Sequence, residues 1–296
     1  MKGTKGAISI LALALVSAFT LTFNPHVTAQ KNKNKSPIVA PTLTRTTSHH
    51  ENRRLAYGGT VTIIGAPVGS ITIEGWPRNE VDVAAEIELH AGSDADLAIL
   101  SAVNGFFVDE VGNHVRILTT GTHDREFMKR VAKNFPKNLN GLPWKIDFRI
   151  KVPVSTDLEI SQGSGPIKLA GVEGALRVNA LESEAMFWLT GGIASITIQR
   201  GSVYFNVPGR GWHGLGADVK LAGGNLTVEL PADFSADIDA AVMRLGGIDL
   251  AYDLEPRDRN SITSRSVRAR AGSGGATLSF TVGDGTIRIK QVSGEQ

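Results

Sequence analysis

The residues that could do chemistry in this chain are few and scattered. Asp237 and Asp239 stand two apart, a spacing that puts both carboxylates on one face of a strand, as calcium coordination or acid/base work on sugars would need. Ile238 between them gives the plainer account of two solvent-facing residues on an alternating strand. The seven histidines, His26, His49, His50, His90, His114, His123 and His213, are dispersed, and no His-Glu-x-x-His run brings two onto one helical face for zinc. Gly163-Ser164-Gly165 lacks the Gly-x-Ser-x-Gly spacing of a nucleophile elbow. Trp76, Trp144, Trp188 and Trp212 would stack on sugar rings if they lined one face; beside proline, as in Trp76-Pro77 and Pro143-Trp144, they read as plugs at corners or ends. The sequence therefore assigns no catalytic residue, no metal ligand and no cofactor, leaves the ligand-binding residues unassigned, and reads as a non-enzyme.

What must position these residues is a repeated cassette of glycine followed by aliphatics on alternate positions. It occurs as Gly69-Ser70-Ile71-Thr72-Ile73, Gly165-Pro166-Ile167-Lys168-Leu169, Gly174-Ala175-Leu176-Arg177-Val178, Gly201-Ser202-Val203-Tyr204-Phe205, Gly224-Asn225-Leu226-Thr227-Val228 and Gly285-Thr286-Ile287-Arg288-Ile289. Ala194-Ser195-Ile196-Thr197-Ile198 is a variant without the leading glycine. Strand side chains alternate faces, so each cassette has a dry and a wet side, and the glycines let short strands end in sharp corners. Spacings of 20 residues from Leu176 to Ile196, 23 from Ile196 to Val219, 23 from Val203 to Leu226 and 22 from Leu226 to Ile248 suit single coils of a right-handed β-helix-like solenoid. One coil cannot bury enough to fold, because ordering backbone costs about 1 to 2 kcal/mol per residue against about 1.5 to 3 for each buried aliphatic. Stacked coils would share interior ladders. The alternative is an antiparallel β-sandwich, with Ile196/Val203 and Val219/Leu226, each seven apart, as hairpin pairs.

The rest of the chain frames this all-β body. Lys2 and Lys5, the apolar run from Ala7 to Leu21 and Val27-Thr28-Ala29 before Gln30 have the layout of a signal peptide over 1-29, so the protein is expected to be exported, to the periplasm or the cell surface. Once that segment is removed, no stable membrane span is expected. With no cysteine, core packing alone must hold the fold. The net charge of +2 becomes zero when Lys2 and Lys5 leave with the signal. Residues 30-54 hold six basic side chains and one acid and read as a flexible linker, whose Lys31-Asn32-Lys33-Asn34-Lys35 run could touch an anionic surface. The body that follows, 55-292, is acidic, which argues against nucleic acid as partner.

Within the body, Ser93 is placed to cap a short helix running to Val103, with Asp94 and Asp96 in its first turn. Phe107–Val111 and His114–Leu118 flank Gly112-Asn113 as a hairpin. Residues 119-143 break the repeat: Arg125, Lys129, Arg130, Lys133 and Lys137 surround Phe127 and Val131, as in an amphipathic helix with its apolar side seated on the body. That insertion reads as a solvated cover, with an anionic polymer as the other partner it could take.

Val152-Pro153 before Leu158-Glu159-Ile160-Ser161, the Gly-x-Ile-x-Leu cassettes, and Leu226-Thr227-Val228-Glu229-Leu230-Pro231-Ala232-Asp233 with Ala236-Asp237-Ile238 together resemble the bacterial putative-adhesin domain family of unknown function, over residues 57-292. The resemblance implies an exported β-solenoid with no established catalytic residues. This chain departs from the family in having Gly-Pro, Gly-Ala and Gly-Ser where Gly-Asp corners are preferred, and in the 119-143 insertion. The function expected is adhesion to, or binding of, a cell-envelope polysaccharide or protein through an extended surface. The alternatives are a carbohydrate-active β-helix enzyme, for which fold alone gives no licence, and a periplasmic scaffold in envelope-stress signalling.

Overall fold

Alternation of aliphatic and polar residues builds nearly every element of the body. The computed structural model describes residues 43–65 and 67–292; the segment 1-29 expected to be a signal peptide and residues 30-42 of the expected linker lie outside them. In chain order the strands are β1 (Leu43–Arg54), β2 (Thr60–Ile64), β3 (Ile71–Trp76), β4 (Glu80–Ala91), β5 (Gly105–Val111), β6 (His114–Thr120), β7 (Trp144–Pro153), β8 (Asp157–Ser164), β9 (Ile167–Ala170) and β10 (Ala175–Trp188). They continue with β11 (Gly191–Asn206), β12 (His213–Leu230), β13 (Ala236–Val242), β14 (Gly246–Ala251), β15 (Glu255–Pro256), β16 (Ser266–Ala271) and β17 (Thr277–Gln291). Two α-helices interrupt them, α1 (Asp94–Ser101) and α2 (Arg125–Val131). The strands form one large mixed sheet that does not close on itself.

Its centre is parallel. β10, β11, β12 and β17 lie side by side, and each is long enough to carry two cassettes separated by a corner. On one side of the corner, Leu158/Ile160, Leu176/Val178, Ala194/Ile196, Ala217/Val219, Leu278/Phe280 and Ile238/Ala240 follow one another in register. On the other side run Ile167/Leu169, Ala185/Phe187, Val203/Phe205, Leu226/Val228, Ile287/Ile289 and Ile248/Leu250. All but Ile248 and Leu250, on the last strand, are buried. At the corner the backbone folds through Gly201, Gly224 and Gly285, with φ of +126°, +135° and +140°, angles that favour glycine.

The pairs Ile196/Val203 and Val219/Leu226 are not hairpins: each pair sits within one strand, β11 or β12, on either side of the corner, so the antiparallel sandwich does not describe these cassettes. The repeat arithmetic also needs two corrections. Leu176 pairs with Ala194, 18 residues on, rather than with Ile196. Leu226 and Ile248 are not neighbours, because β17 lies between β12 and β14 and pairs with both. The 22-residue spacing followed sequence order, whereas the strand pairing skips it.

Both ends of the stack are antiparallel. At the first end β4 pairs with β1 and β7, and at the last β16 pairs with β13 and β15. Residues 43–54, read as linker, are instead strand β1, matched residue for residue with β4 from Leu43↔Ala91 to Arg54↔Glu80. No residue of β1 is fully buried; the backbone ladder to β4 holds it to the sheet, with surface contacts from the Thr44 hydroxyl to His90 at 3.1 Å and from His50 to Asp82 at 2.9 Å. α1 packs Leu97 and Leu100 beside β4, and its cap is the expected Ser93, whose hydroxyl accepts from the Asp96 N–H at 3.1 Å. The Gly112-Asn113 hairpin is present as β5 and β6.

Candidate functional site

Taken residue by residue, the sequence candidates do not converge. Ser164 lies in a corner where a Cβ on Gly163 would meet Pro67 backbone at 2.3 Å, with no room for an elbow. His50 pairs with Asp82 at 2.9 Å, His90 with Glu88 at 2.8 Å, and His114 with the Thr62 hydroxyl at 2.9 Å, each on a different stretch of sheet. Among the described residues no group of three or more His, Asp or Glu is placed to hold a metal. Asp237 and Asp239 do share a face, but arginines occupy it: β16 sets Arg270 and Arg268 directly opposite, and Arg257 lies 3.1 Å from Asp237 and 3.9 Å from Asp239. Guanidinium groups already supply the positive charge that a calcium ion would bring.

The tryptophans do not form one row. Trp212 is a buried plug, stacked on Phe205 with ring centres 5.9 Å apart and donating its Nε1–H to the Gly192 carbonyl at 3.0 Å. Trp76 donates to the Glu80 carbonyl at 2.8 Å, and its ring is approached by Arg78 at 4.8 Å and Lys151 at 5.7 Å. Trp144 rests against His123, and Trp188 against Tyr204.

The outward rows are polar and charge-paired. One row crosses Thr62, Glu159, Arg177, Ser195 and Asp218 on five successive strands. Within it Arg177 lies 3.8 Å from Glu159, and Lys220 reaches Asp218 at 2.5 Å. On the other side of the corner, Tyr204 donates its hydroxyl to Glu229 at 2.5 Å and Lys290 reaches the same carboxylate at 2.7 Å. Burial pushes the Glu229 carboxyl up, but the hydrogen bonds from Lys290 and Tyr204 outweigh it and hold the group below its ordinary value. Tyr204 is pushed up to about 12, by burial first and then by the Glu229 hydrogen bond. Of these groups Glu159, Arg177 and Ser195 line a hollow of about 200 Å³, in which Glu159 and Arg177 pair with each other.

A further concavity lies in the segment between β6 and β7, where the ladder is interrupted. A groove of about 520 Å³ opens between α2 and the 3-10 turn at Lys137–Leu139. Met128, Ala132 and Phe135 supply its apolar lining, and Arg125, Lys129, Lys133 and Lys137 its cationic one. The segment is pinned at both ends. Asp124 caps α2, its carboxylate accepting from the N–H of Glu126 and of Phe127 at 3.0 Å each. The buried Asn104 accepts from the Thr122 N–H at 2.9 Å and donates to the Leu100 carbonyl at 3.0 Å. Leu139 is buried and Phe135 packs against the core.

α2 differs from its expected seating. It buries no residue completely, Phe127 and Met128 are only half-buried, and Val131 is 57% exposed. Seven residues are too few to present a full apolar stripe, so Leu139 and Phe135 anchor the segment instead. Among the described residues Lys129 pairs with Glu126 at 2.6 Å, while Arg125, Lys133 and Lys137 have no acidic partner. Sequence reasoning found the five cations but missed the groove, because Phe135, Met128 and Asn140 come together only through the turn at Pro136.

No family model matches this chain, and no curated protein matches it. Among solved structures, it is similar to a putative cell adhesion protein from Clostridium sporogenes, at 13% identity and a TM-score of 0.44, covering 83% of this chain and 100% of that one. It is also similar to a putative adhesin from Bacteroides fragilis, at 14% identity and a TM-score of 0.33, covering 82% and 97%. A third likeness is to a putative lipid binding protein from Parabacteroides distasonis, at 12% identity and a TM-score of 0.24, covering 82% and 97%. No helix among the described residues is long and apolar enough to cross a membrane.

Proposed function

We propose that the chain is an exported, non-enzymatic β-solenoid whose polar outer rows bind an envelope polysaccharide or protein by many weak contacts. The parallel, in-register stacking of β10, β11, β12 and β17 carries this reading, since it repeats outward side chains at the spacing of one strand. Residue types on those rows suit it: Thr197, Ser195, Arg177 and Glu159 offer hydrogen bonds and charge without a dominant anchor. The charged outer groups named above are paired with one another, as structural surface ion pairs are, rather than held apart for proton transfer. The layout of residues 1-29 supports export, and fractionation with external protease would assign periplasm or surface.

The test is a screen of residues 30-296 against glycans and envelope extracts that records binding and product release together. Binding without turnover is expected, with Arg177→Ala or Thr197→Ala each weakening it no more than about fivefold, the scale of an exposed contact. Release of a cleaved product, or loss of all binding from one such substitution, would sink the proposal.

A further inference from the structure

We propose that the groove beside α2 is a second, independent site that takes a single-chain anionic amphiphile, a carboxylate or phosphate head joined to a hydrocarbon tail. Two features of the groove point the same way. Its lining divides into an apolar part, Met128, Ala132 and Phe135, and a cationic part, of which Arg125, Lys133 and Lys137 have no acidic partner among the described residues. A purely solvated cover would not need a concavity with apolar lining. The volume, about 520 Å³, falls in the roughly 300 to 1,000 Å³ range of small-molecule sites. The groove is also held open by parts that do not depend on a ligand: the Asp124 cap, the Asn104 hydrogen bonds and the buried Leu139. The head would sit among the ammonium and guanidinium groups while the tail covers the thioether and phenyl ring, each half strengthening the other by excluding water.

The inference goes beyond the polymer-binding surface and fails separately from it. Calorimetry of residues 30-296 with dodecanoate, below its micelle concentration, should show saturable binding of one molecule. Octanoate should bind more than tenfold more weakly, because each methylene lost costs about fourfold in affinity. Dodecyl maltoside, which keeps the tail without the charge, and oligoglucuronate, which keeps the charge without the tail, should each be at least tenfold weaker. Replacing Arg125, Lys133 and Lys137 together with glutamine should lower dodecanoate affinity at least tenfold with the urea midpoint unchanged, and Met128→Ser should lower it without altering its salt dependence. Thr197→Ala, on the outer rows, should leave it unchanged. Lysophosphatidylglycerol, a single-chain phosphate lipid, compared with free dodecanoate distinguishes a membrane lipid from a free acid as the source; saturable binding of either supports the site. Absence of binding to both, oligoglucuronate binding as tightly as dodecanoate, or an unchanged affinity in the triple variant would overturn it.

Discussion

A Cβ placed on Gly224 would lie 1.7 Å from the carbonyl oxygen of Gly201, one strand below it. The same relation links Gly285 to Gly224 at 1.8 Å, so the corners stack with backbone against backbone and leave no space for any side chain. Gly224→Ala must therefore move a strand as well as strain its own φ. A loss of more than about 3 kcal/mol is expected in urea unfolding. Gly58→Ala is the comparison: its φ is +68° but nothing lies within 4 Å of the added methyl, so only about 1 to 2 kcal/mol should be lost. Equal costs for the two would contradict the stacked corner.

Neighbouring residues on β11 should behave oppositely. Ile196 is wholly buried between Val178 and Val219, and Ile196→Ala should cost about 2 to 5 kcal/mol. Thr197 faces outward, and Thr197→Ala should stay within about 0.5 kcal/mol. Urea midpoints of the two variants check the register directly, since a slip of one residue would exchange their effects.

Glu229 and Tyr204 give the stack a pH dependence at both extremes. Because the folded state lowers the Glu229 carboxyl, its contribution is present above the unfolded value of about 4.3 and is lost as pH falls through the lower folded value. Tyr204 keeps its proton to about 12, whereas an unfolded chain gives it up near 10, so stability should decline again as pH rises between these values. Thermal unfolding of Glu229→Gln against the parent at pH 3 and pH 6 measures the first effect. The gap between the two proteins should be larger at pH 6, and a constant gap would refute the assignment.

Calcium should not stabilise the protein. Arg257 and Arg270 lie within 3.6 Å of Asp237, so a divalent ion would have to displace guanidinium groups that are already in place. Adding calcium or a chelator should leave the melting temperature unchanged, and a rise of several degrees with calcium would reinstate the metal reading of the aspartate pair.

The sequence revealed what repeats locally and hid what depends on distant pairing. The inward aliphatics, the Ser93 cap and the Gly112-Asn113 hairpin each follow from neighbours a few residues apart, and each is found where the pattern puts it. β1 could not be read this way. Its twelve residues contribute backbone rather than buried side chains, and polar composition resembles that of a linker. The position of β17 was equally hidden, since Ile287 carries no mark that its partners are Leu226 and Ile248, 61 and 39 residues earlier. For the groove, the cations were visible as composition, but its apolar wall is assembled across a proline turn that periodicity does not cross.

The placement of β17 has a consequence for how such a molecule matures. A ribosome delivers β12, β13 and β14 before the strand that must lie among them, so those three are left without their shared neighbour until it arrives. The far half of the structure cannot be completed piecemeal. A polypeptide of this design stays pliable through most of its synthesis and locks late, when the last ribbon slides into the gap kept for it.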